Sequence, residues 1–187
     1  MNRLTRALIL ALVVTACGDI SDAPELRPQR FVARLGETPP IAKYRSGAPQ
    51  LIIAFAIAQI GPAGGKFSFA GFDVSVPAGA VSKRTTFSIR LPIDPSLSQY
   101  VYAEFGPHGV KFDQPITLTL PYKGTTTEGE PSHVVWYDGQ KWVELPSLIT
   151  ADGRIQTQTN HFSEYGTEEL APAKGITQIN TRPRAGR

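Results

Sequence analysis

From Gln50 to Tyr165 the chain is a series of short stretches in which apolar residues recur at every second position. In one stretch Ile116, Leu118 and Leu120 alternate with threonines, a period typical of a β-strand with one buried face. Glycine, proline and Asp-Gly pairs break the stretches about every 8 to 12 residues, as in all-β domains. We therefore predict roughly nine strands, no helix, and one antiparallel β-sandwich domain over residues 50–167.

The first stretch differs because both of its sides are apolar. Ile53, Phe55 and Ile57 alternate with Ala54, Ala56 and Ala58. This pattern predicts a strand buried on two faces, although a buried helix is an alternative because alanine is a strong helix former. The turn sequence that starts at Gly61 ends the stretch at once, and another alternating run follows, which favours the strand.

The clearest hairpin joins Val134–Tyr137 to Gln140–Leu145 through Asp138-Gly139. An Asp-Gly pair between two β-rich runs favours a type I′ turn, in which both central residues have positive φ. Its aromatic residues, Trp136, Tyr137 and Trp142, are candidate binding residues for a glycan or a protein partner. We expect Trp136 and Trp142 to pack as a cross-strand pair, with the alternative that at least one belongs to the core.

The N-terminus has the parts of a secretory signal. Arg3 and Arg6 precede an apolar run, ALILALVV, that is much shorter than the roughly 20 residues of a membrane-spanning helix. The run ends in VTAC, which resembles the bacterial lipobox and includes Cys17, the only cysteine. The resemblance implies a lipoprotein signal peptide over 1–16, lipid on the Cys17 sulfur and anchoring to the membrane at the cell envelope. An ordinary signal peptide with a chance cysteine is the alternative.

Residues 17–49 are predicted to form a flexible proline-rich tether, and 168–187 a loose C-terminal tail. Removal of Arg3 and Arg6 from the 19 basic side chains leaves 17 against 16 acidic ones, so the mature charge is about +1. A nearly neutral charge and three arginines in the tail are weak evidence for binding of nucleic acid, so we predict no nucleic-acid partner. In enterobacterial sorting an Asp directly after the lipidated Cys retains a protein in the inner membrane. Gly18 takes that place here, which favours the outer membrane.

Five motifs in order resemble the ZU-five domain, the β-sandwich module of ankyrins, netrin receptors and zonula occludens proteins that also occurs in bacterial lipoproteins. They are IGPAGG at 60–65, VPAGAV at 76–81, FGPHGVKF at 105–112, PITLTLPY at 115–122 and HFS at 161–163. The resemblance implies a β-sandwich that binds or supports other proteins. It names no partner for this chain, because the family's partners belong to other compartments. We expect a noncatalytic interaction or structural module that binds an envelope protein or a glycan.

The motif His161-Phe162-Ser163 carries the alternative function. In some members of the family the same triplet is an autoproteolysis site, which would make Ser163 a nucleophile toward the Phe162 carbonyl in an N-to-O acyl shift. His161 would assist proton transfer, and strain at Phe162 would activate the carbonyl. The competing interpretation is structural: alternation places Phe162 in the core of the last strand, with His161 and Ser163 on the other side.

We predict no cofactor and no metal site. His108, His133 and His161 are the only histidines, and none of them has the short spacing of typical ligand pairs. Common motifs of nucleophilic, zinc-dependent or nucleotide-dependent enzymes are absent from the sequence. A carbohydrate-binding sandwich that uses the hairpin aromatics is a weaker alternative function.

Overall fold

The structure, a computed structural model, describes residues 40–51 and 53–169. Eleven strands in this part of the chain form two packed antiparallel sheets, which confirms the predicted all-β sandwich. The first sheet has the order β1-β4-β5-β11-β7-β8 and the second the order β2-β3-β6-β10-β9. The strands are β1 (Phe55–Ile60), β2 (Gly65–Phe69), β3 (Phe72–Val76), β4 (Thr85–Arg90), β5 (Tyr102–Gly106), β6 (Lys111–Pro121), β7 (Val134–Tyr137), β8 (Trp142–Leu145), β9 (Ser147–Ile149), β10 (Arg154–His161) and β11 (Glu164–Thr167).

The core lies between the sheets and is built from the alternating apolar side chains. In β3, for example, Phe72, Val74 and Val76 are buried while the residues between them are half-exposed. Phe162, between β10 and β11, contacts three other rings, those of Phe87, Phe105 and Phe112, at centroid distances of 5.5, 5.9 and 4.9 Å. Apolar burial of this kind is the main stabilising contribution in a domain that has no disulfide among its described residues.

A second apolar layer lies on the outer face of the six-stranded sheet. Ile41 is fully buried, and its Cδ1 would lie 2.7 Å from a Cβ added at Gly166. Gly166 therefore allows the N-terminal segment to approach the sheet, where Ile41 forms a bridge with Glu168 and Lys43 one with Tyr100. These residues were assigned to the tether, and the structure corrects that boundary: the packed domain includes residues 40–44. The loose tail was predicted from residue 168, but Glu168 is buried and bridged to Ile41, so the packed domain includes it. The signal peptide, Cys17, most of the tether and the tail from 170 onward lie outside the described residues.

The prediction that the first strand is buried on two faces is wrong. β1 is an edge strand that pairs only with β4 among the described residues, and the side of Phe55 and Ile57 is exposed while the alanines face inward. The alternative of a helix is also excluded for Phe55–Ile60, because these residues are paired as a strand. Edge position depends on which strands pair, and the period of two cannot reveal it.

The predicted hairpin is confirmed between β7 and β8, but two of its details differ. Gly139 has a φ of 95°, whereas Asp138 has no positive φ, so the turn is not type I′. Instead, the Asp138 carboxylate accepts hydrogen bonds from the main-chain N–H groups of Gln140 and Lys141, both at 2.8 Å. The register pairs Tyr137 with Trp142 and Trp136 with Val143, so the expected Trp136–Trp142 pair does not form.

Candidate functional site

An exposed apolar row, Ile53, Phe55 and Ile57, runs along the outward side of β1 and the residue pair that precedes it. These side chains are 59%, 46% and 62% exposed. A contiguous line of large exposed apolar side chains commonly marks an interaction surface. The guanidinium of Arg90 lies over the Phe55 ring, 5.3 Å from its centroid.

The main chain at the same edge is also open to a partner. Leu91 donates its N–H to the Ala54 carbonyl at 2.8 Å, in line with the register that pairs Phe55 with Arg90. In an antiparallel pair the hydrogen-bonding groups of successive residues point to alternate sides. The N–H and C=O groups of Phe55 and Ile57 therefore point away from β4, toward the free edge.

The sequence of this edge is a palindrome. Residues 53–57 read Ile-Ala-Phe-Ala-Ile, so the segment is identical when read in either direction. An antiparallel pair of two copies centred on Phe55 would oppose Phe55 to Phe55 and Ile53 to Ile57. Each side chain would then meet a chemically matched neighbour on the same face.

A groove of about 300 Å³ adjoins the row, and Ile53 lines both features. Its walls come from the segment before β1 and from the β4–β5 connection, including Tyr44, Leu51, Pro92 and the 83% exposed Ile93. The Tyr44 hydroxyl is buried without a partner among the described residues, and burial raises the pKa of Tyr44. The groove therefore extends the exposed apolar surface beyond the strand itself.

The predicted self-processing residues, His161, Phe162 and Ser163, lie at the junction between β10 and β11. Phe162 is 3% exposed, and Ser163 donates its hydroxyl to the Tyr137 carbonyl at 2.7 Å. The Nδ1 atom of His161 is 3.3 Å from the Thr159 hydroxyl, and its Nε2 has no hydrogen-bond partner among the described atoms. Burial, followed by the charge of Lys111, lowers the pKa of His161.

In this arrangement the Ser163 hydroxyl is engaged by the β7 main chain. The Ser163 carbonyl also accepts the Phe105 N–H at 2.9 Å, so Ser163 is bonded both to β7 and to β5. Among the described non-glycine residues only Ala70 has a positive φ, so Phe162 does not have that form of backbone strain. Autoproteolysis at this motif stays a prediction.

The hairpin aromatics divide between the two faces of their sheet. Trp136 is packed against the core, and its ring centroid is 4.5 Å from that of His161. Trp142 and Tyr137 form the cross-strand pair, 5.4 Å apart, and Trp142 also contacts Tyr102 at 6.4 Å. All three binding candidates are half-buried, so none is a bare flat platform for a sugar ring.

The three histidines have different partners. His108 Nε2 is 3.2 Å from Glu104 Oε1, and His133 Nδ1 is 3.1 Å from Glu168 Oε2, whereas His161 contacts Thr159 and Asn160. Around His133 a further carboxylate approaches: one donor atom from each of His133, Glu144 and Glu168 lies within 4.8 Å of the others. Spacings of 11 and 24 residues hid this cluster from the sequence.

Two carboxylates on neighbouring strands share an environment that disfavours charge. Glu164 of β11 is paired with Glu104 of β5. Burial, and then the charge of Glu104, raise the pKa of Glu164 to about 7. Burial also raises the pKa of Glu168, with a smaller contribution from Glu144, while the hydrogen bond from His133 opposes the shift.

Compared with protein-family models and with curated proteins, the sequence matches none. No helix within residues 40–51 and 53–169 is long and apolar enough to cross a membrane. The exposed apolar row was not predicted from the sequence, because its residues were assigned to the core. The signal that could have identified it is the palindrome, since a symmetric apolar strand suits pairing with a copy of itself.

Proposed function

We propose that the chain is a noncatalytic cell-envelope lipoprotein of ZU-five type, anchored through lipid on Cys17, whose sandwich is an interaction and structural module. The observation that carries the proposal is the exposed apolar row on the free edge of β1. An edge strand with unpaired main-chain groups and exposed apolar side chains is a template for pairing with another strand.

The occupant that we propose for the edge is a second copy of this chain. Its support is the palindrome: a two-fold interface requires that one surface be complementary to itself, and residues 53–57 meet that requirement at every position. In the pair, main-chain groups of Phe55 and Ile57 would hydrogen-bond across the axis. The row of one copy would continue into the row of the other, so that each shields part of the other from water.

Cysteine cross-linking in the membrane tests this register, because an acylated Cys17 leaves no other thiol. Cα atoms that oppose each other in an antiparallel pair are about 5.5 Å apart, within the range of a disulfide. The full-length Phe55→Cys chain should therefore form a disulfide dimer on mild oxidation. The matched control is Ile57→Cys, whose Cα atoms would be about 14 Å apart across the axis and beyond reach.

Coexpression of Ile53→Cys with Ile57→Cys chains should restore the cross-link, because the register opposes those two positions. The parent chain sets the baseline, since it reveals any thiol left at Cys17. Equal cross-linking of Phe55→Cys and Ile57→Cys, or none in either, would overturn the proposed pairing. Cross-linking of Phe55→Cys to a different protein would show that the edge takes another partner's strand.

The lipid anchor is tested separately. The parent chain should incorporate labelled palmitate and sediment with membranes, whereas full-length Cys17→Ser should incorporate none. Fractionation of the envelope then distinguishes the outer membrane, which Gly18 favours, from the inner one. Palmitate incorporation by Cys17→Ser would refute the assignment of the lipid to this sulfur.

A further inference from the structure

We infer that His133, Glu144 and Glu168 form a binding site for one divalent metal ion of the zinc type. The three side chains supply one imidazole nitrogen and two carboxylates, and their donor atoms lie within 4.8 Å of one another. Nitrogen and oxygen donors of this kind bind zinc at about 2.0 to 2.2 Å. The site goes beyond the proposed function and does not depend on it.

The sheet brings the ligands together from three separate parts of the chain. Glu144 of β8 is paired with Val135 of β7, two residues from His133 and therefore on the same face. Glu168 lies beside His133 on the other side, where its N–H donates to the His133 carbonyl at 2.8 Å. One face at the end of three adjacent strands thus presents all three donor groups.

The Glu168 ligand is held in place before any ion binds. Its carbonyl accepts the Ser132 hydroxyl at 2.9 Å, and a bridge with Ile41 holds its main chain on the other side. The side chain is only 8% exposed, whereas that of His133 is 43% exposed. An ion would therefore bind between a fixed inner carboxylate and two ligands that can move by rotation of their side chains.

Existing distances fit a shared ion. His133 Nδ1 and Glu168 Oε2 are 3.1 Å apart. Two ligands of a tetrahedral zinc ion at about 2.05 Å are separated by roughly 3.3 Å, so this pair needs little movement. The third donor, from the exposed Glu144, lies within 4.8 Å of the other two and so needs to move by at most about 1.5 Å, which a surface side chain can do. Water would complete the coordination.

A buried carboxylate next to a second carboxylate also favours a positive partner. Two such groups cannot both be charged at close range without a cost in free energy. The charge of a divalent ion equals that of the two carboxylates together. Binding would convert three neighbouring strand ends into one cross-linked unit and stabilise the folded chain.

Zinc titration of the full-length protein in detergent, after removal of metal with a chelator, tests the site. We expect one zinc ion per chain and, at about 100-fold excess over the Kd, a rise of roughly 5 to 10 °C in Tm. Cobalt(II), used as a spectroscopic substitute, should show the absorption of a low-coordinate nitrogen–oxygen site. Glu144→Gln should weaken zinc binding at least 10-fold.

Glu144 is exposed, so its substitution leaves the fold intact and the measurement interpretable; His133→Ala and Glu168→Gln are the stronger variants. The matched control is Glu130→Gln, an exposed glutamate outside the cluster, which should bind zinc like the parent. Absence of a zinc-dependent change in the parent would overturn the site. An equal response of the parent and Glu144→Gln would do the same, because the ion would then bind elsewhere.

Discussion

Replacing Phe162 with alanine should destabilise the sandwich more than any other single change to the His161-Phe162-Ser163 motif. The Phe162 side chain is 3% exposed, and its ring contacts those of Phe87, Phe105 and Phe112. These rings come from β4, β5 and β6, so the substitution removes a contact shared by both sheets. The surrounding strands are paired on both sides and can collapse only partly into the space.

The expected magnitude follows from burial. Truncation of a fully buried phenylalanine to alanine costs about 3 to 5 kcal/mol, through lost transfer free energy and the remaining cavity. A domain of this size has a free energy of unfolding of about 5 to 15 kcal/mol, so the loss is a large part of the total. It corresponds to a fall in Tm of roughly 10 to 20 °C.

The assay is urea unfolding of the full-length chain in detergent, followed by the fluorescence of Trp136 and Trp142. The matched control is Phe55→Ala, which makes the same chemical change at a side chain that is 46% exposed and should cost less than about 1 kcal/mol. If Phe162→Ala does not fold, Phe162→Leu should lose about 1 to 2 kcal/mol. Equal losses at positions 162 and 55 would refute the assignment of Phe162 to the core.

Three further predictions concern charge, cleavage and packing. Because the pKa of Glu164 is raised from 4.5 to about 7, the folded state binds more protons between these values. The free energy of unfolding should therefore fall as pH rises through that window. Glu164→Gln should remove this slope and raise the free energy of unfolding by about 1 to 2 kcal/mol above pH 7. Identical pH profiles of stability for the parent and the variant would contradict this assignment. Mass spectrometry under denaturing conditions should detect one uncut chain for the parent and for Ser163→Ala, because the Ser163 hydroxyl donates a hydrogen bond to the Tyr137 carbonyl. Two fragments in the parent alone would establish self-cleavage. Gly166→Ala should lower the free energy of unfolding by about 1 to 3 kcal/mol, because the new Cβ would displace Ile41. The control, Gly61→Ala, should cost much less, because Gly61 has open space around it and no positive φ. Equal thermal stabilities of the two variants would disprove the close approach of Ile41 to Gly166.

The fold class was predictable because it depends on local signals. Alternation defined most strands, and Gly71 and Gly153, with φ of 89° and 77°, lie at turns that the sequence marked with glycine. Position within the sheets was not predictable. Apart from the palindrome of residues 53–57, nothing local distinguishes β1 from a central apolar strand, because its exposure results from pairing with β4 on one side only among the described strands.

In the candidate sites, too, local patterns were predictable and long-range contacts were not. Alternation of apolar residues assigned Phe162 to the core. The start of the domain was placed too late, because prolines dominate the composition around Ile41. The burial of Ile41 depends on Gly166, which is 125 positions away along the chain. The His133–Glu144–Glu168 cluster likewise depends on strand register. Contacts of this range have no short motif, so sequence spacing cannot indicate them.

The proposed edge contact depends on the proposed anchor. Stable interfaces bury roughly 1,200 to 2,000 Å², and one short strand provides only a small contact by that standard. Two copies held on the same membrane by a tether, however, meet at a much higher effective concentration than free chains do. A weak, self-complementary edge is then sufficient, and it has a further consequence: chains pair at the membrane and separate when released from it. A short exposed edge therefore suits an association that depends on the proposed anchor, whereas a more extensive apolar surface would favour aggregation of free chains.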